Sequence, residues 1–229
     1  MKLLVLYVIM NMSQNSFSQK QVSYTVKPGA QISDVIPRNE IYRYPVFTDG
    51  TVAFKDGKTV VGKLNHNMLF GSIQFLDPKG DTLALINENT IKLVSILTDT
   101  FYFDRGYYHV TSSNGPVKLL EKKYFKEFVQ KPGSYGLTSS TTSVDNISSI
   151  LERRSYELNT SQELILVKHA EFALATDDGY VIYPDKKKLL KIYSKHKQTV
   201  ETYMNKNPVA ANSKDDLLNL MNFLADLEK

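Results

Sequence analysis

The sequence predicts an α+β protein, in which an antiparallel, strand-rich region is followed by a β-hairpin and two or three C-terminal helices. Three observations support this prediction. Short apolar stretches alternate with Gly, Asp and Asn turn signals from Tyr42 to Val129. The chain contains 14 Tyr and 11 Phe, residues that suit half-buried strands. After Pro184 the apolar spacing changes to that of a helix.

The N-terminal segment, residues 1–18, has the pattern of a secretory signal peptide. Lys2 precedes an apolar run that ends at Met10, and small residues close the segment at Ser16 and Ser18. The run is far below the roughly 20 residues needed to span a bilayer, so we expect no transmembrane span in the mature chain. Cleavage after Ser18 would leave an exported protein that is periplasmic, outer-membrane associated or secreted.

Composition limits the chemistry that is available to the chain. It has no cysteine, which excludes disulfides, a cysteine nucleophile and the acylated cysteine of a bacterial lipoprotein. The formal net charge of +4 is too small to indicate a partner by itself. Export also argues against nucleic acid as a partner.

The chain divides into four segments after the predicted signal peptide. Residues 19–41 have no single predicted structure, although VSYTV is typical of a strand. Residues 42–129 are predicted to form an antiparallel meander, barrel or sandwich, because short strands recur at close spacing. Residues 130–150 are rich in Ser, Thr and Gly, which is typical of a mobile loop or linker. Residues 151–229 contain a predicted hairpin around Asp177-Asp178-Gly179 and then helices.

The motif DPKGDT, residues 77–82, is predicted to be a turn and not a phosphate site. The residues on both sides alternate between apolar and polar with the period of a strand. Asp77, Pro78 and Gly80 supply the backbone preferences of a hairpin loop. A phosphate loop would instead lead into a helix, and no helical pattern follows. The same interpretation predicts turns at Asp49-Gly50, Asp56-Gly57 and Asn114-Gly115.

The C-terminal pattern predicts two helices, or three if the first is broken near Ser194. Apolar residues recur at helical spacing from Leu189 to Met204, and Asn207-Pro208 ends the run. Ser213 is a candidate N-cap for the last helix, because acidic residues that favour a helix start follow it. The predicted apolar face of that helix consists of Leu217, Leu220, Met221, Leu224 and Leu227.

Three residues are candidates for acid/base chemistry. Asp99, Asp104 and His109 lie close together in sequence, and a carboxylate near a histidine can transfer protons. We expect them to mark strand ends, because the aspartates flank the short run TFYF and Asp104-Arg105-Gly106 is typical of a hairpin. No GxSxG or SxxK motif occurs in the sequence, so a hydrolase site would have to be assembled in space.

The four histidines show no metal-ligand spacing, and the sequence therefore predicts no metal site and no cofactor. His66 lies in the polar stretch LNHNM and is predicted to be a surface residue. His196 is predicted to pack at a helix interface.

A lysine-rich stretch opens the C-terminal helices. Clustered positive charge favours contact with an anionic polymer or an acidic partner. The alternative is an ordinary solvated helix face. The candidate contact residues are Lys186, Lys187, Lys188, Lys191, Lys195 and Lys197.

Much of the chain resembles a group of uncharacterised secreted or envelope proteins of Gram-negative bacteria. The residues that carry the resemblance are GTVAFKDGKTVVGKLNHNMLFGSIQFLDPKGDTLAL, DTFYFDRGYYHV, PDKKKLLKIYSKHKQTVETYMNKN and DDLLNLMNFL. The resemblance implies export and a shared architecture, and it brings no catalytic residue with it.

We therefore expect an exported cell-envelope protein that acts as a non-enzymatic binding or interaction module, with an envelope protein or an anionic polymer as its partner. Two alternatives remain open. One is a hydrolase with a loop-assembled acid/base site, and the other is a structural subunit that pairs through exposed strand edges.

Overall fold

The computed structural model describes residues 22–132, 138–142 and 163–228. The predicted signal peptide and most of the predicted linker lie outside this part of the chain. The described strands are β1 (Ser23–Val26), β2 (Thr48–Phe54), β3 (Thr59–Asn67), β4 (Ser72–Leu76), β5 (Thr82–Ala84), β6 (Ile91–Ile96), β7 (Asp99–Phe103), β8 (Tyr107–Asn114), β9 (Val117–Pro132), β10 (Thr138–Thr142), β11 (Leu164–Thr176) and β12 (Val181–Tyr183). The described α-helices are α1 (Ile32–Val35), α2 (Arg38–Ile41), α3 (Lys186–Ile192), α4 (Lys197–Lys206) and α5 (Lys214–Asp226).

These strands form one open antiparallel sheet. Its order is β5-β4-β3-β2-β6-β7-β8-β9-β11-β1, with β10 beside β9 and β12 beside β11. Most neighbours in the sheet are also neighbours in the chain, as in a meander. The predicted α+β class is confirmed, and the sheet is open rather than closed into a barrel.

The long strands β9 and β11 connect the two halves of the chain. Their antiparallel register runs from Val117 opposite Thr176 to Val129 opposite Leu164. On the other side of β11, β1 pairs with residues 164–167. The C-terminal half therefore extends the same sheet that residues 42–129 begin.

Two parts of the predicted 130–150 loop are described, and both belong to strands. Residues 130–132 end β9, and β10 pairs with β9 in the register of Thr138 opposite Pro132. The Thr and Ser content that indicated a loop also suits a short strand, since threonine is β-branched. The rest of this segment lies outside the described residues.

The C-terminal helices cover one face of the sheet. Leu217, Leu220 and Leu224 of α5 are fully buried and pack in one cluster with Leu119 of β9 and Leu174 of β11. The predicted break near Ser194 is confirmed as a 3-10 turn, Ser194–His196, between α3 and α4. None of the described helices is long and apolar enough to cross a membrane.

The predicted N-cap of the last helix is confirmed. The hydroxyl of Ser213 accepts a hydrogen bond from the backbone N–H of Asp216 over 3.2 Å. Two acidic residues in the first turn of α5, Asp215 and Asp216, stabilise the helix by opposing its dipole.

The predicted turn at Asp49-Gly50 is wrong, because both residues lie inside β2. A Cβ atom at Gly50 would lie 2.7 Å from Cδ1 of Leu64 and 2.7 Å from the backbone oxygen of Ser95. Glycine is therefore required here by the close approach of neighbouring strands and not by a turn. Sequence alone does not separate these two uses of glycine.

The DPKGDT motif is a turn, as predicted. It joins β4 to β5, and Gly80 has a φ of 89°, in the left-handed region that favours glycine. The carboxylate of Asp77 accepts hydrogen bonds from the backbone N–H groups of Lys79 and Asp81 over 2.9 and 2.8 Å. Lys79 contributes its backbone N–H to the turn.

Candidate functional site

The side chain of Asp99, at the start of β7, is the centre of a polar cluster. Its Oδ2 atom accepts hydrogen bonds from the hydroxyl of Tyr44 over 2.6 Å and from Nε of Arg43 over 2.8 Å. Its Oδ1 atom lies 3.1 Å from Nε2 of His109. Burial alone would raise the pKa of Asp99, but the hydrogen bonds from Tyr44 and Arg43 outweigh it and lower the pKa to about 2. Asp99 is therefore charged, and its Oδ2 atom accepts two hydrogen bonds.

His109 extends from β8 into the same cluster. Its Nε2 atom faces both Oδ1 of Asp99 and Nη2 of Arg43, which lies 3.0 Å away. In the neutral ring this nitrogen either donates to Asp99 or accepts from Arg43, but it cannot do both. Burial, followed by the charge of Arg43, lowers the pKa of His109 and favours the neutral ring.

The geometry of His109 is unfavourable for acid/base catalysis. In a catalytic His–Asp pair, the carboxylate holds one ring nitrogen and the other faces the reacting group. Here Asp99 and Arg43 share Nε2, whereas Nδ1 is buried and has no hydrogen-bond partner among the described residues. We infer that this arrangement anchors the chain segment before β2 onto β7 and β8.

The third candidate acid/base residue lies elsewhere. Asp104 begins the turn between β7 and β8, where its backbone N–H donates to the oxygen of Gly106 over 3.0 Å. Its carboxylate lies 3.6 Å from Nε of the exposed Arg105. The structure therefore brings Asp99 and His109 together but leaves Asp104 in the predicted hairpin turn.

The prediction that His66 is a surface residue is wrong. The residue lies in β3 with 3% of its surface exposed, and its ring packs edge-on against Phe101 at 5.2 Å. Neither ring nitrogen has a partner among the described residues. Burial, and then the nearby charge of Arg43, lower the pKa of His66 to about 3. The polar neighbours that suggested a surface position are themselves buried, namely Asn65 and Asn67.

A different feature of β3 is open to a partner. β2 pairs with residues 59–64 of this strand, but on its other side β4 pairs only with residues 64–67. The side of residues 59–63 that faces away from β2 has no neighbouring strand in the described part of the chain. We call this stretch the β3 edge.

The backbone groups of the β3 edge alternate in direction. The N–H of Phe54 donates to the oxygen of Lys58 over 2.8 Å, which makes these two residues a hydrogen-bonded pair. Such pairs recur at every second residue of an antiparallel ladder. Within residues 59–63, the even-numbered residues therefore point their backbone groups toward β2. The odd-numbered residues point theirs toward the open side.

The side chains of the β3 edge are apolar at its centre and charged at its ends. Val60 and Val61 are 58% and 72% exposed. Lys58 is ion-paired with Asp56 at 3.1 Å, and Lys63 is ion-paired with Asp49 at 2.8 Å. Lysines at the ends of an open edge limit unspecific strand pairing.

The six candidate lysines do not share one environment. Lys188 is half-buried, and its Nζ atom lies 5.1 Å from the centre of the Tyr180 ring. The others are exposed: Lys186, Lys187, Lys191, Lys195 and Lys197. His196 is half-buried at the 3-10 turn. Within the described residues, no group of three or more His, Asp or Glu side chains is placed to hold a metal ion.

Comparisons with family models, with curated proteins and with solved structures found no match to this chain. The resemblance to secreted proteins of Gram-negative bacteria therefore stays a prediction.

Sequence reasoning missed two features of the site. Arg43 and Tyr44 lie more than 50 residues before their partner Asp99, so no local pattern indicates the contact. The β3 edge depends on where β4 stops pairing, which the strand pattern does not specify.

Proposed function

We propose that this protein is an exported, non-enzymatic interaction module of the cell envelope that binds an extended segment of a partner protein at the β3 edge. The observation that carries the proposal is the side of residues 59–63 that has no neighbouring strand among the described residues, with two exposed valines at its centre. In strand addition, main-chain hydrogen bonds provide affinity and alternate side chains provide specificity. The β3 edge offers both.

The partner segment follows from the shape and chemistry of the β3 edge. A strand of about five residues would cover it, since strands pair residue by residue. Because Val60 and Val61 point to opposite faces of the sheet, the segment needs apolar side chains on both of its faces. β-branched or aromatic residues opposite the valines give the best cross-strand contacts.

The export part of the proposal rests on the signal-peptide pattern of residues 1–18. The protein recovered from the cell envelope or the medium is expected to begin at Gln19, as measured by intact mass. Recovery of the uncleaved chain in the cytoplasm would contradict export.

Matched substitutions of two exposed valines test binding at the β3 edge. Val61→Lys places a charge at the centre of the edge, whereas Val46→Lys places the same charge at a valine that precedes β2 and is 65% exposed. The immobilised full chain and both variants would be incubated with solubilised envelope proteins. We expect Val46→Lys to retain the envelope protein that the wild-type chain captures, and Val61→Lys to lose it. Equal capture by the two variants would contradict the proposal.

A second copy of this chain would use the same edge if the protein is a structural subunit. Sedimentation of the purified chain distinguishes this case, because a concentration-dependent dimer that Val61→Lys abolishes requires edge-to-edge pairing. A monomer at every concentration favours a different protein as the partner.

The contact between Asp99 and His109 favours a second candidate function, a hydrolase with an acid/base site. The shared Nε2 and the buried Nδ1 of His109 argue against it. Hydrolysis of a chromogenic ester by the purified protein, lost in His109→Gln, would support the hydrolase.

A further inference from the structure

A cleft of about 300 Å³ lies beside the turn that joins β11 to β12. Chain segments that are far apart in sequence form its walls. Lys55 comes from the turn after β2, Lys92 from β6, Asp104 from the turn after β7, Asp178 from the β11–β12 turn and Lys188 from α3. We call this site the turn cleft. Its volume is at the lower end of the range for small-molecule sites.

The floor of the turn cleft is held in place by packing. The hydroxyl of Tyr102 donates to the backbone oxygen of Asp177 over 3.2 Å. Gly179 lies directly against the Tyr102 ring, because a Cβ atom there would come within 2.0 Å of a ring carbon. The turn is thus fixed against β7, and a ligand would meet a preformed surface.

Three lysines give the turn cleft its positive charge. Among the described residues, no carboxylate lies within ion-pair distance of Lys55, Lys92 or Lys188. The ammonium group of Lys188 is positioned over the ring of Tyr180. The lining carries three lysines against two aspartates, Asp104 and Asp178, so it retains an excess of positive charge that attracts an anion.

Two carboxylates in the turn cleft restrict what kind of anion fits. Asp178 accepts hydrogen bonds from the hydroxyl of Thr176 and, over 3.4 Å, from the backbone N–H of Tyr180. These hydrogen bonds lower the pKa of Asp178, and the bond from Thr176 has the largest effect. The carboxylate of Asp178 is therefore charged. A charged carboxylate only accepts hydrogen bonds. An anion without donors would be repelled by Asp104 and Asp178, whereas hydroxyl groups on the ligand would satisfy them.

We propose that the turn cleft binds a hydroxylated organic anion of sugar-acid type, with the anionic group among the lysines and the hydroxyl groups on Asp104 and Asp178. The six lysines of the C-terminal stretch then differ in role, since Lys188 alone among them lines the cleft. This proposal is independent of strand addition, because the cleft and the β3 edge have no residue in common.

Binding is tested by nuclear magnetic resonance titration of the isotope-labelled chain with four probes: glucuronate, glucose, acetate and a short oligouronate. We expect saturable shifts of the Lys92 and Gly179 amide signals with glucuronate, and none with glucose or acetate. Tighter binding of the oligouronate would identify a polysaccharide as the source of the ligand, and equal binding would identify a free sugar acid.

Matched lysine variants test the location. Lys188→Ala and Lys92→Ala should each weaken glucuronate binding by about tenfold, the loss expected when one charged hydrogen bond is removed. Lys187→Ala removes the same charge from an exposed position of α3 and should leave binding unchanged. Equal weakening by Lys187→Ala and Lys188→Ala, saturable binding of acetate at the same affinity, or no saturable shift with any probe would overturn the proposal.

Discussion

Arg43 and Asp99 are joined by a hydrogen-bonded ion pair of 2.8 Å although they are 56 residues apart in the chain. Their side chains are 22% and 25% exposed, so water screens the contact only in part. Tyr44 donates to the same carboxylate oxygen. These contacts fix the segment before β2 against the start of β7.

Loss of the Asp99 carboxylate should destabilise the fold. Asp99→Ala leaves Arg43 and Tyr44 without their acceptor, and we expect the free energy of unfolding to fall by about 2 kcal/mol. Asp104→Ala is the matched control and should change it by less than about 0.5 kcal/mol, since its partly exposed carboxylate makes a long ion pair of 3.6 Å with the exposed Arg105. Urea unfolding of both variants measures the difference. Equal losses would contradict the anchoring role of Asp99.

Protonation of His66 should make stability depend on pH. Its folded pKa of about 3 lies below the ordinary value of 6.5, so its contribution is complete above pH 6.5 and is lost as pH falls toward 3. His66→Leu removes this group. Relative to the wild type, the free energy of unfolding of this variant should therefore rise by about 2 kcal/mol between pH 6.5 and pH 5. Asp99 does not interfere, because its pKa of about 2 places its own loss at lower pH. If the free energies of unfolding of the two proteins changed equally with pH over this interval, the burial of a neutral His66 would be contradicted.

Two glycines that face each other across β2 and β3 should respond differently to substitution. Gly50→Ala forces a methyl group into Leu64 and the backbone of Ser95, and we expect a loss of about 2 kcal/mol. At Gly62 the nearest atom to a Cβ is 4.0 Å away, so Gly62→Ala should be neutral or slightly stabilising. Thermal unfolding of both variants tests this, and similar melting temperatures would contradict the close approach of Leu64 and Ser95 to Gly50.

The DPKGDT turn gives a fourth stability test. Gly80 has a φ of 89° and open space around its Cβ position, so Gly80→Val costs backbone strain of about 1 kcal/mol or more without a steric clash. Lys79→Ala should change stability by less than about 0.5 kcal/mol. Added phosphate should not raise the melting temperature of Gly80→Val or of Lys79→Ala. A phosphate-dependent rise that vanishes in Lys79→Ala would mean that the motif binds an anion.

The elements that sequence predicted best are those with a clear period and local turn chemistry. The DPKGDT hairpin, the hairpin at Asp177-Asp178-Gly179 and the capped last helix were predicted because neighbouring residues determine them. Gly50 and His66 were wrongly predicted because tertiary packing determines their surroundings. In sequence, Gly50 looks like a turn residue, although it makes room for Leu64. His66 looks like a surface residue, although its ring packs against Phe101.

The candidate sites were harder to predict than the fold. Asp99 and His109 were candidates because they lie close together in sequence, and their contact joins the adjacent strands β7 and β8. Arg43 reaches the same point from a segment with no clear pattern. The turn cleft gathers residues from five chain segments, and only Lys188 was among the candidate contact residues. Charge clustering along the chain does not indicate that Lys55 and Lys92 line the same cleft as Lys188.

Amide hydrogen exchange of the free protein tests the open β3 edge most directly. We expect exchange to alternate along residues 59–63, with slow exchange at Val60 and Gly62, whose N–H groups bond to β2, and fast exchange at Thr59, Val61 and Lys63. Uniformly slow exchange at all five amides would contradict an open β3 edge, because it would mean that the edge is already covered.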